Sequence, residues 1–157
     1  MKQRIQAFGD RSGTLTIDRI KWHKTRVIVQ VSDTDYGGGV YHGKYFALYN
    51  QARDQFMADL GFPYLSLMTQ DMNLSVAELH TRFLKPLMYG ETPVIHTRVS
   101  WLRTKSLGIV QQMFTMESCA PLLKNQVEMN LVCTNARSEP VALPNKLKSI
   151  FMNYYGR

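Results

Sequence analysis

Apolar and polar positions alternate along Arg26-Val27-Ile28-Val29-Gln30-Val31, a period of two that predicts a strand with Val27, Val29 and Val31 on one face. Further along, the period lengthens. Tyr45, Leu48/Tyr49, Ala52, Phe56 and Leu60 recur every three or four residues, as in a helix with one buried stripe. Gly61 then supplies a left-handed cap, and Phe62-Pro63 a stop. Four further strands are expected. Leu74 to Leu84 sets Ala77, Leu79, Thr81 and Phe83 against Val76, Glu78, His80 and Arg82, and Pro86 with Gly90 turns the chain. Val94 to Leu102 follows, then the polar bend Arg103-Thr104-Lys105 and a strand from Ser106 to Glu117. The last strand, Val127 to Ala136, places Val127, Met129, Leu131 and Cys133 on one face, with Pro121 and Asn125 bracketing the preceding turn. A tail helix is expected from Asn145 to Tyr154. One long helix after a first strand, then strands on short turns, predicts an antiparallel α+β domain rather than a doubly wound one.

A chain of 157 residues with 45% hydrophobic content fits one domain, 1–157, with a core built on a buried helix. No linker, repeat or low-complexity run divides it. The first residues, Met1-Lys2-Gln3-Arg4-Ile5-Gln6, lack the apolar core of a signal peptide, and no stretch approaches the roughly 18 apolar residues of a membrane span. A cytoplasmic protein without membrane insertion is expected. Cys119 and Cys133 form no CxxC pair and suit a reducing compartment, so no disulfide is expected.

Charge changes the picture of what is bound: 19 Lys plus Arg against 12 Asp plus Glu give a formal +7, which favours an anionic ligand. The cations are spread along the chain rather than clustered with aromatics, and no nucleic-acid signature is present.

The chemistry concentrates in Asp33-Thr34-Asp35-Tyr36-Gly37-Gly38-Gly39-Val40-Tyr41-His42-Gly43-Lys44-Tyr45, between the first strand and the helix. The first N–H groups of a helix lack intrahelical acceptors and lie at the positive end of the macrodipole. A carboxylate and free amides could converge there on one carbonyl, as acyl transfer requires. The simpler alternative is that both acids only form turns or cap the helix. Gly38 to Lys44 also follows the phosphate-loop pattern G-x-x-x-x-G-K, but Tyr45 replaces the Mg²⁺-binding hydroxyl, and no parallel βαβ series follows. A calcium loop starting at Asp33 fails at Gly37 and Lys44.

Gln30-Val31, Asp33-Thr34-Asp35, Gly37-Gly38, Val40-Tyr41-His42 and Tyr45 resemble the signature of the 4-hydroxybenzoyl-CoA thioesterase family, and more closely its acyl-CoA thioesterase branch associated with the Tol–Pal system. The resemblance runs from about Thr25 to the tail, through Phe83-Leu84-Lys85-Pro86-Leu87-Met88-Tyr89-Gly90-Glu91 and Pro140-Val141-Ala142-Leu143-Pro144. Residues 1–24 form an extension outside it. Gly39 stands where the family usually has a branched apolar residue, and Lys44 where it usually has Asn.

The resemblance implies a hotdog fold, a five-stranded antiparallel sheet wrapped around one long helix, and hydrolysis of acyl-CoA thioesters without metal or cofactor. It implies Asp35 as nucleophile or general base, with Asp33 structural. His42 would polarise the thioester carbonyl through its backbone N–H, or act through its ring. Tyr41, Gly43 and Tyr45 would border the substrate, Tyr45 being equally an ordinary core aromatic. Arg103 and Lys105 at a strand turn, and Lys85, are candidates for the phosphates of CoA, with a solvated basic surface as the alternative. Ser106 is a candidate to tune the pocket and is equally an ordinary strand residue. Glu78, sharing a strand face with His80, is a candidate second acid–base group, and a metal held with His96 has no spacing motif behind it. A hotdog protein that binds acyl-CoA without cleaving it is the alternative function, since fold alone does not set activity. An open sheet edge predicts a homodimer or homotetramer.

Overall fold

The structure is a computed structural model that describes residues 21–153. Most of the 1–24 extension, and Tyr154 at the expected end of the tail helix, lie outside the described residues. Strands β1 (His23–Arg26), β2 (Met72–Phe83), β3 (Val94–Leu102), β4 (Ser106–Glu117) and β5 (Ala120–Asn135) form one antiparallel sheet in the order β1-β3-β4-β5-β2. Helix α1 (Lys44–Asp59) packs on one face, the one-turn α2 (Leu65–Met68) follows it, and α3 (Asn145–Met152) closes one side. This is the expected hotdog arrangement.

Helix α1 forms where the period predicts it, and its stripe of Tyr45, Leu48, Tyr49, Ala52 and Phe56 is buried. It meets Ile95 and Val99 of β3, Ile109 and Met113 of β4, and Val127 and Met129 of β5, all buried in the same cluster. Gly61 ends the helix with φ +73°, a conformation open to glycine at little cost. Phe56 is fully buried and stacks on Phe151 of α3 with ring centroids 6.1 Å apart. Truncating such a side chain costs about 3–5 kcal/mol.

The structure corrects four expectations. The first strand is His23–Arg26 rather than Arg26 to Val31. Its ladder on β3 stops where Val27 N–H bonds the carbonyl of Pro93, a residue with no N–H to return. Val27 and Val29 keep the buried alternation, but Val31 is 67% exposed because the chain winds into a 3-10 turn over Val31–Asp33. At the same end of the sheet the β4–β5 turn is Ser118-Cys119, both at positive φ, a two-residue hairpin, and not a loop bracketed by Pro121 and Asn125. Pro121 pairs with Met116 where β5 has no β2 neighbour, and Asn125 is fully buried within the strand, so β5 begins seven residues before Val127. Third, α1 and β2 are linked through α2, which the pattern did not signal.

The fourth concerns β2. A bulge between Val76 and Glu78 shifts its alternation. Directly opposed residues share a face, so Leu74, Val76, Leu79, Thr81 and Phe83 face α1 with Cys133, Leu131, Met129, Val127 and Asn125. Val76 therefore joins Leu79 rather than Glu78. Glu78, His80 and Arg82 point to the outer face, opposite Asn130, Glu128 and Gln126. Among the described residues no helix is long and apolar enough to cross a membrane. Both cysteines are free, Cys119 exposed in its turn and Cys133 in the core.

Candidate active site

Between Gln30 and α1 the chain is a short hairpin-like loop held from both sides. Asp33 anchors its start: its carboxylate accepts from Gln30 N–H at 2.9 Å and lies 3.7 Å from Lys44 Nζ, and its carbonyl accepts from Tyr41 N–H at 2.8 Å. Lys44, a cation in the first helical turn where the dipole disfavours it, thus has an anion beside it. Thr34 bridges to Val40, and Asp35 N–H donates to the Gly39 carbonyl at 2.9 Å. Gly38 makes the turn at φ +76°.

The loop tip docks on the segment after β2. Gly39 bridges to Met88, and Val40 N–H donates to Leu87 O at 2.7 Å. That segment is itself fixed by Lys124 of β5, which is 8% exposed, donates to Pro86 O at 3.1 Å and pairs with Glu91 at 2.9 Å. Glu91 in turn accepts from Met88 N–H at 2.7 Å. An ion pair so withdrawn from water is expensive to break by removing one member, which leaves the other charge uncompensated.

Asp35 is exposed, with one carboxylate oxygen accepting from Gly37 N–H at 2.9 Å and the rest of its acceptor capacity facing outward. After it, the chain enters α1 through Tyr41, His42 and Gly43. Lys44 N–H donates to Tyr41 O at 2.8 Å, whereas the N–H groups of His42 and Gly43 have no acceptor among the described residues. The Tyr41 ring meets the His42 ring at a tilt of 47°, centroids 4.2 Å apart, and lies so close over the helix start that a Cβ on Gly43 would come within 2.9 Å of its Cε1. Gly43 is needed for that approach.

His42 and Tyr45 line a cleft of about 290 Å³ with Val40, Phe83, Lys85 and Pro86. Tyr45 is buried, meets Phe83 edge to face at 5.1 Å, and its phenol oxygen accepts from Leu87 N–H at 2.9 Å. Its own O–H donates to nothing among the described residues. Burial holds its pKa above the ordinary phenol value, so it remains a donor at neutral pH. Asp35 and Gly43 do not line this cleft but share the loop with Val40 and His42, which do. A carboxylate and free backbone amides on one loop, with a neutral phenol in the adjoining cleft, suit the chemistry of a carbonyl that becomes an oxyanion.

The other expected site residues lie elsewhere in the protomer. Glu78 is exposed on the outer sheet face, where His80 Nε2 lies 3.0 Å from one of its oxygens and Asn130 donates to the other at 2.6 Å. Those contacts, His80 foremost, hold its pKa below the usual carboxylate range. Arg103 and Lys105 flank the β3–β4 turn, at the end of the sheet opposite Phe83. Arg103 lies over the Trp101 ring at 5.1 Å, Lys105 donates to Pro140 O at 3.0 Å, and Ser106 O accepts from Arg103 N–H at 2.8 Å. Lys85 alone of the CoA-phosphate candidates borders the cleft. Among the described residues no cluster of three His, Cys, Asp or Glu side chains could hold a metal.

A polar seam under α1 was not legible in the sequence. Tyr49 O–H donates to Asn125 at 2.6 Å, and fully buried Gln111 donates to Tyr49 O at 3.1 Å and to Thr97 at 3.0 Å. Burial drives the Tyr49 pKa upward, keeping it a donor. These partners lie 14 to 76 residues apart in the chain, beyond the reach of any spacing motif.

Comparisons with known proteins agree with this architecture. Residues 29–151 match the family model described as the thioesterase-like superfamily. The acyl-CoA thioester hydrolase YbgC of Escherichia coli is 29% identical over 126 residues, 80% of this chain and 92% of the relative. A probable thioesterase from Bartonella henselae superposes with a TM-score of 0.73 at 25% identity, covering 79% of this chain and all of that one. A DHNA-CoA thioesterase from Staphylococcus aureus does so at 0.78 and 20% identity, over 84% and 89% of the two chains. With 123 of its 157 residues matched in a continuous block, the chain belongs to the thioesterase-like superfamily.

Proposed function

We propose that the protein is an enzyme, an acyl-CoA thioesterase that hydrolyses an acyl-CoA to a carboxylic acid and CoA, of the branch to which its Asp33-to-Tyr45 motif points. The observation that carries this is the placement of exposed Asp35 and the unbonded N–H groups of His42 and Gly43 on one loop at the α1 start, beside the Tyr45 cleft. The family match and the named activity of the Escherichia coli relative support it.

The thioester carbonyl oxygen sits against the amides. Asp35 either attacks the carbonyl carbon, expelling CoA thiolate and leaving a mixed anhydride that water cleaves, or takes a proton from the water that attacks. Incorporation of solvent ¹⁸O into Asp35 in a single turnover separates the routes. The chain's own groups suffice for either, with no cofactor assigned.

The working unit in this proposal is a dimer formed through β2. That strand is a 12-residue edge on which Val76 and Phe83, and Leu84 just after it, are each about half exposed. Two such edges paired about a two-fold axis run antiparallel, so the Phe83 end of one meets the Leu74 end of the other. The β3–β4 turn with Arg103, Lys105 and Ser106 lies at the Leu74 end, so this pairing carries it toward the partner's Asp35 loop and gives those cations a route to CoA phosphates. Light scattering showing only monomer counts against this assembly.

The activity is tested by free thiol released from short, long and aromatic acyl-CoA esters, with hydration of an enoyl-CoA as control. Thiol release supports the proposal. Binding of esters without release favours the acyl-binding alternative.

A further inference from the structure

Arg53 continues the α1 stripe of Tyr45 and Tyr49 by one more turn, where a core helix normally carries an apolar side chain. Its guanidinium reaches into the seam between α1 and the sheet. Nη1 donates to Gln111 Oε1 at 3.2 Å and lies 3.1 Å from Met129 Sδ, and Nη2 donates to Asn50 Oδ1 at 2.8 Å. Every one of these partners is neutral. Among the described residues no carboxylate comes within 4.0 Å of it, and Asp54, the acid whose charge it feels, is exposed and makes no ion pair. Burial pulls the guanidinium pKa below its ordinary value, and Asp54 offsets this only in part.

A cation withdrawn from water with only neutral partners is under-compensated. Three contacts occupy three of its five N–H donors, leaving Nε–H and one N–H of Nη2 for an anion. Arg53 lines a second cavity of about 230 Å³ together with apolar Phe56, Met57, Leu74, Ile109 and Leu131 and with polar Asn50, Asp54 and Tyr64. At roughly 30 Å³ per small group, it has room for about seven non-hydrogen atoms. Its buried walls, Phe56, Ile109 and Leu131, are apolar, and its part-buried charge is Arg53, whereas Asp54 and Asn50 are exposed. Buried apolar walls beside a part-buried cation match a short aliphatic chain that ends in a carboxylate.

We infer that Arg53 and this cavity select acyl groups carrying a distal carboxylate, so that the preferred substrates are CoA esters of short dicarboxylic acids. The inference rests on the acyl-CoA thioesterase function and on the β2-paired dimer. That pairing sets the Leu74 end of one protomer, which walls the Arg53 cavity, against the Phe83 end of the other, which walls the cleft beside His42 and Tyr45. A phosphate of CoA offers the same oxyanion chemistry, but the apolar walls favour the acyl end.

The test compares kcat/KM for adipoyl-CoA and hexanoyl-CoA, and for the N-acetylcysteamine thioesters of the same acids, in the wild type, Asn50→Glu and Arg53→Met. Asn50→Glu places a carboxylate next to the Arg53 guanidinium at an exposed position and keeps the test informative where Arg53→Met fails to fold. The wild type prefers the adipoyl over the hexanoyl ester by about tenfold or more with either leaving group, and Asn50→Glu abolishes that preference. Equal rates on adipoyl and hexanoyl esters in the wild type, or a preference unmoved by Asn50→Glu, overturn the inference. Also contrary would be a KM rise in Asn50→Glu for both CoA esters and neither N-acetylcysteamine ester, which assigns Arg53 to the CoA phosphates. If no thioester is cleaved, the proposed activity fails, and relative affinity for the two CoA esters, measured by calorimetry, still decides whether Arg53 reads a carboxylate.

Discussion

The two cavities beside α1 are built on opposite plans. At the helix start the groups are contiguous in sequence: an exposed carboxylate, backbone amides and a phenol within the eleven residues from Asp35 to Tyr45. Nine residues into the helix the decisive group is one half-buried cation, whose setting is assembled from β4 and β5, with β2 walling the cavity. In the proposed function the reaction chemistry is local and mostly backbone. In the inference drawn for Arg53 selectivity is long-range and carried by side chains. The first plan needs glycines and tolerates exposure, because free N–H groups act where water can be displaced by substrate. The second uses burial, because a guanidinium discriminates between acyl groups only where water does not satisfy it.

This contrast can be sharpened by loosening each part. Among the residues that support the two cavities, the largest effect is expected for Lys124→Met, which leaves Glu91 without its cation and frees the Pro86–Met88 segment that grips Gly39 and Val40. Stability falls by about 2 kcal/mol in a denaturant titration, and kcat/KM falls with it. Gly43→Ala comes next. Its Cβ would meet Tyr41 Cε1 at 2.9 Å and push the ring off the helix start, lowering kcat/KM by about tenfold while the melting temperature hardly moves. An unchanged rate there would mean that Tyr41 has no part in shaping the site. Smallest is Glu78→Gln: on the outer face and bonded to Asn130 and His80, Glu78 is expected to change kcat/KM by less than about twofold. A loss of several orders of magnitude would instead place the reacting acid on β2.

The same contrast explains what the sequence makes legible. The α1 stripe, the limits of β3 and β4, and the loop-to-helix junction rest on local periodicity and glycine placement, and all three are found where expected. Departures come where tertiary pairing decides. Pro93 ends the β1 ladder, the Ala77 bulge moves Val76 to the helix side, and Asn125, a turn residue by propensity, is instead the buried acceptor for Tyr49. Lys124 and Arg53 carry no local signal at all. Their sheet partners lie 33 and 38 residues away for Lys124, and 58 and 76 for Arg53, so only the folded sheet brings them together.

The most direct test of the chemistry assigned to the helix start is thiol release from an acyl-CoA panel by the wild type and Asp35→Asn, with melting temperatures recorded on the same samples. Asp35 is exposed and bonded only to its own loop, so the variant should melt as the wild type does. Loss of acid–base or nucleophilic function should lower kcat/KM by roughly 10²–10⁴. An Asp35→Asn protein that is folded and cleaves the same esters at the wild-type rate would contradict the account.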